Sequence, residues 1–353
     1  MRKLLIVALL LNAVCLFAIC QPLAVLAGSG SGGGSDPCSA DPTKYALDSN
    51  DDGAVDLSDF VYGLSWLFSG GTAPLVCLDT TDLEASLAQA QADLALPAPP
   101  SGFTFVERNA QGYDEYMHDS SGIRFVRLPG RSFEMGSPEG ETGRIDSYEA
   151  MHTVWLTPFL IAKYEVKQSE YASVMTDPPA GLSATPSTAT GANLPVEQVS
   201  WDDLHLADGF LARTDLSLPS EAQWEYACRA GTSGLYAGNG NIDDMGWYLG
   251  NSGGSSHDVG GKQANQFGLH DMHGNVYEWC EDVFKGDFYT DDVPGFDPVF
   301  TTGSGIRVVR GGHFNRNALA ARSAYRGADG SDYDFIPHVR FDFLGFRPVR
   351  QLP

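Results

Sequence analysis

The sequence predicts an α+β domain with little regular secondary structure, preceded by a small helical module that binds calcium. Three observations predict it. Short β-like runs dominate residues 101–353, at 123–128, 132–135, 154–156, 159–161 and Arg307–Arg310. Only two helices are legible beside them, and much of the remainder is rich in Gly, Pro and Asn. An acidic stretch from Asp48 to Asp59 has the spacing of a calcium loop.

Bulk composition narrows the setting. The 353 residues suffice for one large domain and a small one. Apolar content of 43% against 19% charged residues makes a packed core expected. The 22 Lys and Arg stand against 45 Asp and Glu, a net charge of −23, which repels nucleic acid and anionic membrane surfaces. Residues 1–27 read as a secretory signal: Arg2 and Lys3, an apolar run to about Cys20, then Val25-Leu26-Ala27 before Gly28. No second apolar stretch is long enough to span a membrane. The expected location is secreted, periplasmic or extracellular. Without the signal, Cys38, Cys77, Cys228 and Cys280 remain, an even count that permits two disulfides in an oxidising compartment. Cys38 and Cys77 flank one small module and are grouped as a pair.

Residues 28–35, GSGSGGGS, are a flexible linker. In the module at 36–80, Asp48, Asn50, Asp52, Gly53, Asp56 and Asp59 occupy loop positions 1, 3, 5, 6, 9 and 12 of an EF-hand-type loop. Alternate side chains point inward, Gly53 takes the sharp turn, and Ala54 supplies a carbonyl. Asp59 is one methylene shorter than the usual Glu, which weakens closure. An apolar helix from about Leu57 to Phe68 follows and ends at Gly70-Gly71. The spacing resembles the dockerin-type repeat. The second copy of that tandem family is missing, so a cohesin-like partner is not expected. Residues 81–96 carry strong helix formers, and Pro97, Pro99 and Pro100 close a linker at 81–100.

From 101 to 353 one domain is expected. One helix begins near Lys167 in KQSEYASVM. The other is capped by Ser220 in SEAQWEYACRA and ends at Gly231. Residues 176–195 read as a surface insertion. The stretch GLHDMHGNVYEWCED, 268–282, gathers oxygen donors at Asp271, Asn275 and Glu278, with turn-forming Gly268 and Gly274. Tyr277 and Trp279 alternate with Glu278 as in a strand. His270 and His273 lack a third ligand at a matching spacing, so zinc is not expected. Arg310, Arg322, Arg326 and Arg347 suit buried pairing with Asp or Glu.

Ordered blocks then carry a resemblance: Phe133-Glu134-Met135-Gly136-Ser137, Tyr164-Glu165-Val166, Val199-Ser200-Trp201, Leu218-Pro219-Ser220-Glu221, Gly274-Asn275-Val276-Tyr277-Glu278-Trp279, Val309-Arg310-Gly311-Gly312, Ala321-Arg322-Ser323 and Gly345-Phe346-Arg347. Over about residues 120–351 the chain resembles the formylglycine-generating enzyme, or sulfatase-modifying factor, family. The resemblance implies a fold related to C-type lectin-like domains. It also implies a structural calcium site made by Asp271, where the family usually has Asn, by the carbonyls of Gly274 and Val276, and by Glu278. A second family calcium site falls on Trp247, Tyr248 and Asn251, where the first side-chain ligand is lost.

The resemblance implies catalysis by copper on two cysteines just after the Gly-Gly block. Thiolates suit Cu(I). Here His313, Phe314, Asn315, Arg316 and Asn317 follow Gly312, and no Cys occurs after Cys280. No copper and no formylglycine formation are expected. Relatives often pair the cysteine matched by Cys228 with one that is absent here, so Cys228 either pairs with Cys280 or stays a buried thiol. In lectin-like relatives the segment from the Gly-Gly block to the Gly-Phe-Arg ending presents the ligand surface; here that is His313, Phe314, Asn315, Asn317, Tyr325, Phe341 and Phe343. Two functions follow from different classes: a non-catalytic module binding a protein or carbohydrate ligand, and a divergent oxidoreductase acting on a protein or small-molecule thiol.

Overall fold

Strand alternation builds the central sheet, and the sheet divides the core. In the computed structural model, which describes residues 99–289, 295–303, 305–327 and 335–352, β1 (Phe103–Arg108), β2 (Asp114–His118), β3 (Arg124–Leu128), β6 (Phe159–Ala162) and β12 (Val349–Gln351) form an antiparallel sheet in the order β1-β2-β3-β6-β12. Phe125, Leu160 and Ala162 join one apolar cluster, while Val126, Leu128, Phe159 and Ile161 join another. Successive side chains of a strand point to opposite faces, so β6 reads as an unbroken apolar run because both of its faces are covered.

The remaining sheets are small. β9 (Tyr277–Val283) lies between β10 (Arg307–Arg310), antiparallel to it, and β11 (Leu344–Gly345), parallel to it. β4 (Arg131–Met135) and β5 (His152–Leu156) make a hairpin, and β7 (Gly246–Trp247) pairs with β8 (His273–Gly274). The helices are short: α1 (Gln168–Val174), α2 (Trp201–His205), α3 (Phe210–Thr214), α4 (Glu221–Arg229) and α5 (Ile242–Met245). The expected α+β character with little regular structure agrees with this largely β, helix-poor arrangement. The expected strands all occur, within a residue or a few at their ends. Both expected helices occur as α1 and α4. Ser220 caps α4 reciprocally, its hydroxyl accepting from Gln223 N–H at 3.1 Å while the Gln223 side chain accepts from Ser220 N–H at 3.0 Å. α4 stops at Arg229, with Ala230 in the left-handed region, before the expected Gly231. All nine of its residues are buried.

The chain divides into two units, Met1–Leu96 and Pro97–Pro353. The signal, the linker, the calcium loop at Asp48, Asn50, Asp52, Ala54, Asp56 and Asp59, and the Cys38–Cys77 pair lie outside the described residues. Among the described residues no helix is long and apolar enough to cross a membrane.

Of the two alternatives for Cys228, the buried thiol is the one found: Cys228 and Cys280 are both free and buried. Cys228 sits near the end of α4, its sulfur 3.7 Å from the Met272 carbonyl and 3.7 Å from His273 Nε2. Cys280 lies on β9. Burial pushes the Cys228 thiol up to about 12 and the Cys280 thiol well above its usual value. Neither cysteine is therefore expected to react with iodoacetamide at pH 8 until the chain unfolds, which peptide mapping by mass spectrometry reads directly.

Residues 176–195 contain no helix or strand and are largely exposed or half-buried. Glu197 holds this loop in place. Its Oε1 accepts from Thr188 N–H at 2.5 Å and Ala189 N–H at 3.0 Å, while Oε2 is buried without a partner. Burial pushes the carboxyl up to about 7. The folded value lies above the unfolded one, so the stability that this group allows is full below about pH 4 and is lost as pH rises through about 7. Glu197→Gln keeps the accepting oxygen and removes the charge. The variant should be more stable than the parent by about 1–2 kcal/mol at pH 8 and equal to it at pH 4, read by urea denaturation at both pH values.

Candidate functional site

The turn between β8 and β9 is a tight main-chain structure. Asp271 and Asn275 both adopt left-handed backbone, at φ 58° and 62°. Gly274 has φ 92°, and a Cβ there would overlap the Trp247 carbonyl, so this position requires glycine. Asn275 Oδ1 accepts from His257 N–H at 2.9 Å, and its Nδ2 donates to Glu165 Oε2 at 2.6 Å. Glu165 Oε1 accepts from Val276 N–H at 3.0 Å. Glu165 thus grips the turn from the segment after β6.

Three buried carboxyls meet here with one cation. Glu278 accepts from Trp224 Nε1 at 2.7 Å and from Arg347 Nη2 at 2.8 Å, so both of its oxygens are engaged. Asp271 Oδ2 accepts from Gly260 N–H at 2.6 Å, and Oδ1 is buried without a hydrogen-bond partner. Burial, and then the charges of Asp271 and Glu278, push the Glu165 carboxyl well above its usual range. Burial likewise raises that of Asp271. An excess of negative charge in a dry site is relieved by protons or by a bound cation. The orphaned Asp271 Oδ1 and a turn that carries the Gly274 and Val276 carbonyls fit a hard cation in donor type. Glu278 is shared with Arg347, which the sequence did not disclose.

The histidines serve the frame. His273 Nδ1 donates to the Ala321 carbonyl at 2.7 Å and Nε2 accepts from Ala237 N–H at 2.9 Å, and burial pulls the ring down to about 4. His270 Nδ1 bonds the Lys262 carbonyl at 2.9 Å. Among the described residues no group of three or more His, Cys, Asp or Glu side chains is placed to hold a metal. At the second family position, Asn251 Oδ1 accepts from Tyr248 N–H at 2.9 Å, and Lys262 Nζ lies 4.0 Å from the Trp247 ring centroid.

Buried ion pairs anchor the Gly311-Gly312 turn. Arg310 meets Glu221 at 3.0 Å and Glu225 at 2.5 Å; Arg326 grips both Glu221 oxygens at 2.7 Å; Arg229 meets Glu225 at 2.8 Å. Arg322 pairs with Glu149 at 2.8 Å and Arg347 with Glu278. Burial alone would raise the Glu225 carboxyl, but Arg229 and Arg310 outweigh it and hold it below its usual value.

The expected ligand surface after Gly312 is corrected in part. His313, Phe314, Tyr325 and Phe343 are buried, at 2%, 9%, 8% and 8% exposure. His313 stacks on Phe343 with centroids 4.2 Å apart, and Phe341 stacks on Phe343 at 5.0 Å. The reason is local pairing: Tyr277 N–H donates to the Phe343 carbonyl at 2.8 Å and β11 adds to β9, which draws these rings inward. His313 Nε2 has no partner, and burial, with Arg316, pulls the ring down to about 3. Asn317 caps the 3-10 helix Ala318–Ala321. Asn315 and Asn317 are exposed and Phe341 is half-buried.

Copper does not fit the donors present. Position 312 is followed by His313, Phe314 and Asn315, and the described thiols, Cys228 and Cys280, are buried and favour the protonated form.

Several known proteins are similar to this chain in sequence or fold. The formylglycine-generating enzyme of Streptomyces coelicolor is 29% identical over 265 residues, covering 56% of this chain and 83% of that protein. The formylglycine-generating enzyme of Thermomonospora curvata is 26% identical, covering 56% of this chain and 87% of that protein. Among solved structures, PvdO from Pseudomonas aeruginosa aligns with TM-score 0.58 and 26% identity, covering 72% of this chain and all of that one. Treponema denticola variable protein 1, at TM-score 0.53 and 24% identity over 72% of this chain and 100% of that one, shares the fold. Residues 115–352 match the sulfatase-modifying factor enzyme 1-like domain, and the chain belongs to that family.

Proposed function

We propose that this chain is an exported, calcium-stabilised binding module on a formylglycine-generating-enzyme scaffold, without copper-dependent oxidase activity. The observation that carries this reading is the thiol inventory: no cysteine follows Cys280, and Cys228 and Cys280 are buried, unpaired and strongly protonated. A soft metal held by two thiolates has no donors after Gly312. Calcium is supported by the orphaned Asp271 Oδ1, with the Gly274 and Val276 carbonyls on the same turn. The loop from Asp48 to Asp59 supplies a second calcium site by its spacing. The ligand is a protein or carbohydrate, met by the exposed amides of Asn315 and Asn317 and the edge of Phe341. Elemental analysis of the purified mature protein tests the reading. Calcium without copper is expected. Copper at unit stoichiometry overturns the reading.

A further inference from the structure

Among the described residues, the outer edge of β4 pairs with no further strand. Trp155 directs its N–H to the Gly295 carbonyl, and its own carbonyl accepts from Asp297 N–H at 2.7 Å, so its main-chain groups point away from β4. In an antiparallel ladder this makes Ser132 and Trp155 a non-hydrogen-bonded pair. The main-chain groups of Ser132, and two residues on those of Glu134, therefore point outward from β4. Neither N–H meets an acceptor among the described residues. At the next position the edge is already closed: Gly136 N–H donates to Glu225 Oε1 at 2.8 Å and its carbonyl accepts from Arg229 Nη2 at 2.6 Å. Side chains of α4 end the ladder there, and the free stretch is Ser132 to Glu134.

This edge borders a cleft of about 610 Å³. Its wall is a run of rings, Phe133 to Tyr226 at 5.4 Å, Tyr226 to Phe267 at 5.3 Å and Phe267 to Tyr113 at 5.0 Å. Met151 at its rim is 48% exposed. Alternation along β4 puts Arg131 and Phe133 on the face that Met135 continues into the core, and sends the Ser132 and Glu134 side chains to the other face. Arg131 is exposed and has no ion pair among the described residues, although carboxylates outnumber cations twofold in this chain.

We propose that this edge and cleft bind an extended peptide segment of a partner protein, added as a third strand beside β4. Outward main-chain groups recur every second residue, about 6.8 Å apart, the repeat of another strand. Strand addition of this kind draws affinity from main-chain bonds and selectivity from pockets for alternate side chains. One aromatic or large aliphatic side chain of the peptide enters among Phe133, Tyr226 and Phe267. A carboxylate of the peptide meets Arg131. No residue of the 313–343 segment or of the calcium turn takes part, so this surface and the proposed function stand or fall separately.

A random heptapeptide library displayed on phage, selected on the full chain, tests the proposal. The synthetic consensus peptide is then titrated calorimetrically. The expected consensus pairs an aromatic or large aliphatic residue with an acidic one. Ser132→Pro removes only an outward N–H, since that group takes no part in pairing with β5, and proline is tolerated on edge strands. Binding should fall about tenfold or more in Ser132→Pro, and equally for the consensus peptide N-methylated along its backbone against the unaltered chain. Arg131→Ala should weaken binding several-fold. The N-methylated peptide decides the matter if the proline variant folds poorly. Absence of any enriched consensus, or binding indifferent to backbone N-methylation, overturns the proposal.

Discussion

Replacing Glu225 by alanine is expected to destabilise the domain by about 3–5 kcal/mol. Glu225 is 1% exposed and neutralises Arg310 and Arg229, which are 0% and 4% exposed, while also accepting from Gly136 N–H. Removing it leaves Arg229 without its carboxylate and Arg310 with Glu221 alone, in a site that water cannot reach, and leaves a buried main-chain donor unpaired. Urea denaturation followed by circular dichroism measures the loss. A change below about 1 kcal/mol would mean that the cluster is solvated or redundant, contrary to its burial. Replacing Arg229 by methionine in the Glu225→Ala background should recover part of the loss, because it removes the charge left without its carboxylate.

The family blocks were legible because each does a structural job that needs a particular residue. Gly274 is required by its positive φ beneath the Trp247 carbonyl, Ser220 by the cap it makes, and Arg310 and Arg347 by their buried carboxylate partners. The partners themselves were not legible. Glu165 stood in a recognised block, yet nothing local announces that it bonds Val276, a residue 111 positions away. Arg347 reaches Glu278 across 69 positions. The aromatics after Gly312 mislead for a related reason. A loop rich in Phe, His and Tyr has the composition of a binding face and of a core alike, and only the pairing of β11 with β9 turns it inward. The even cysteine count left a bridge open, but Cys228 on α4 and Cys280 on β9 are each buried as free thiols. The one-turn helices α2, α3 and α5 carry too few residues for periodicity to reveal them, and in β1 and β2, FTFVER and DEYMH, charged residues interrupt the apolar pattern.

Calcium removal is expected to lower the melting temperature of the parent chain by about 5–10 °C. A cation held at a hundred times its Kd adds about 2.7 kcal/mol, and each kcal/mol shifts a domain of this size by about 2–4 °C. Asp271→Ala removes the one buried carboxylate oxygen in this cluster that lacks a partner. The variant should therefore lose the part of the chelator response that belongs to this turn, leaving only what the loop at Asp48–Asp59 contributes. Scanning calorimetry with and without a chelator measures both. Identical chelator responses in parent and variant would remove calcium from the Asp271 site.

We propose that this scaffold does not oxidise cysteine. It is tested most directly by incubating the mature protein, reconstituted with Cu(I), with a cysteine-containing peptide under oxygen and recording the peptide by mass spectrometry. No conversion of cysteine to the aldehyde is predicted, because residues 313–352 supply no thiolate to hold the metal. Turnover of the peptide to formylglycine would contradict the account.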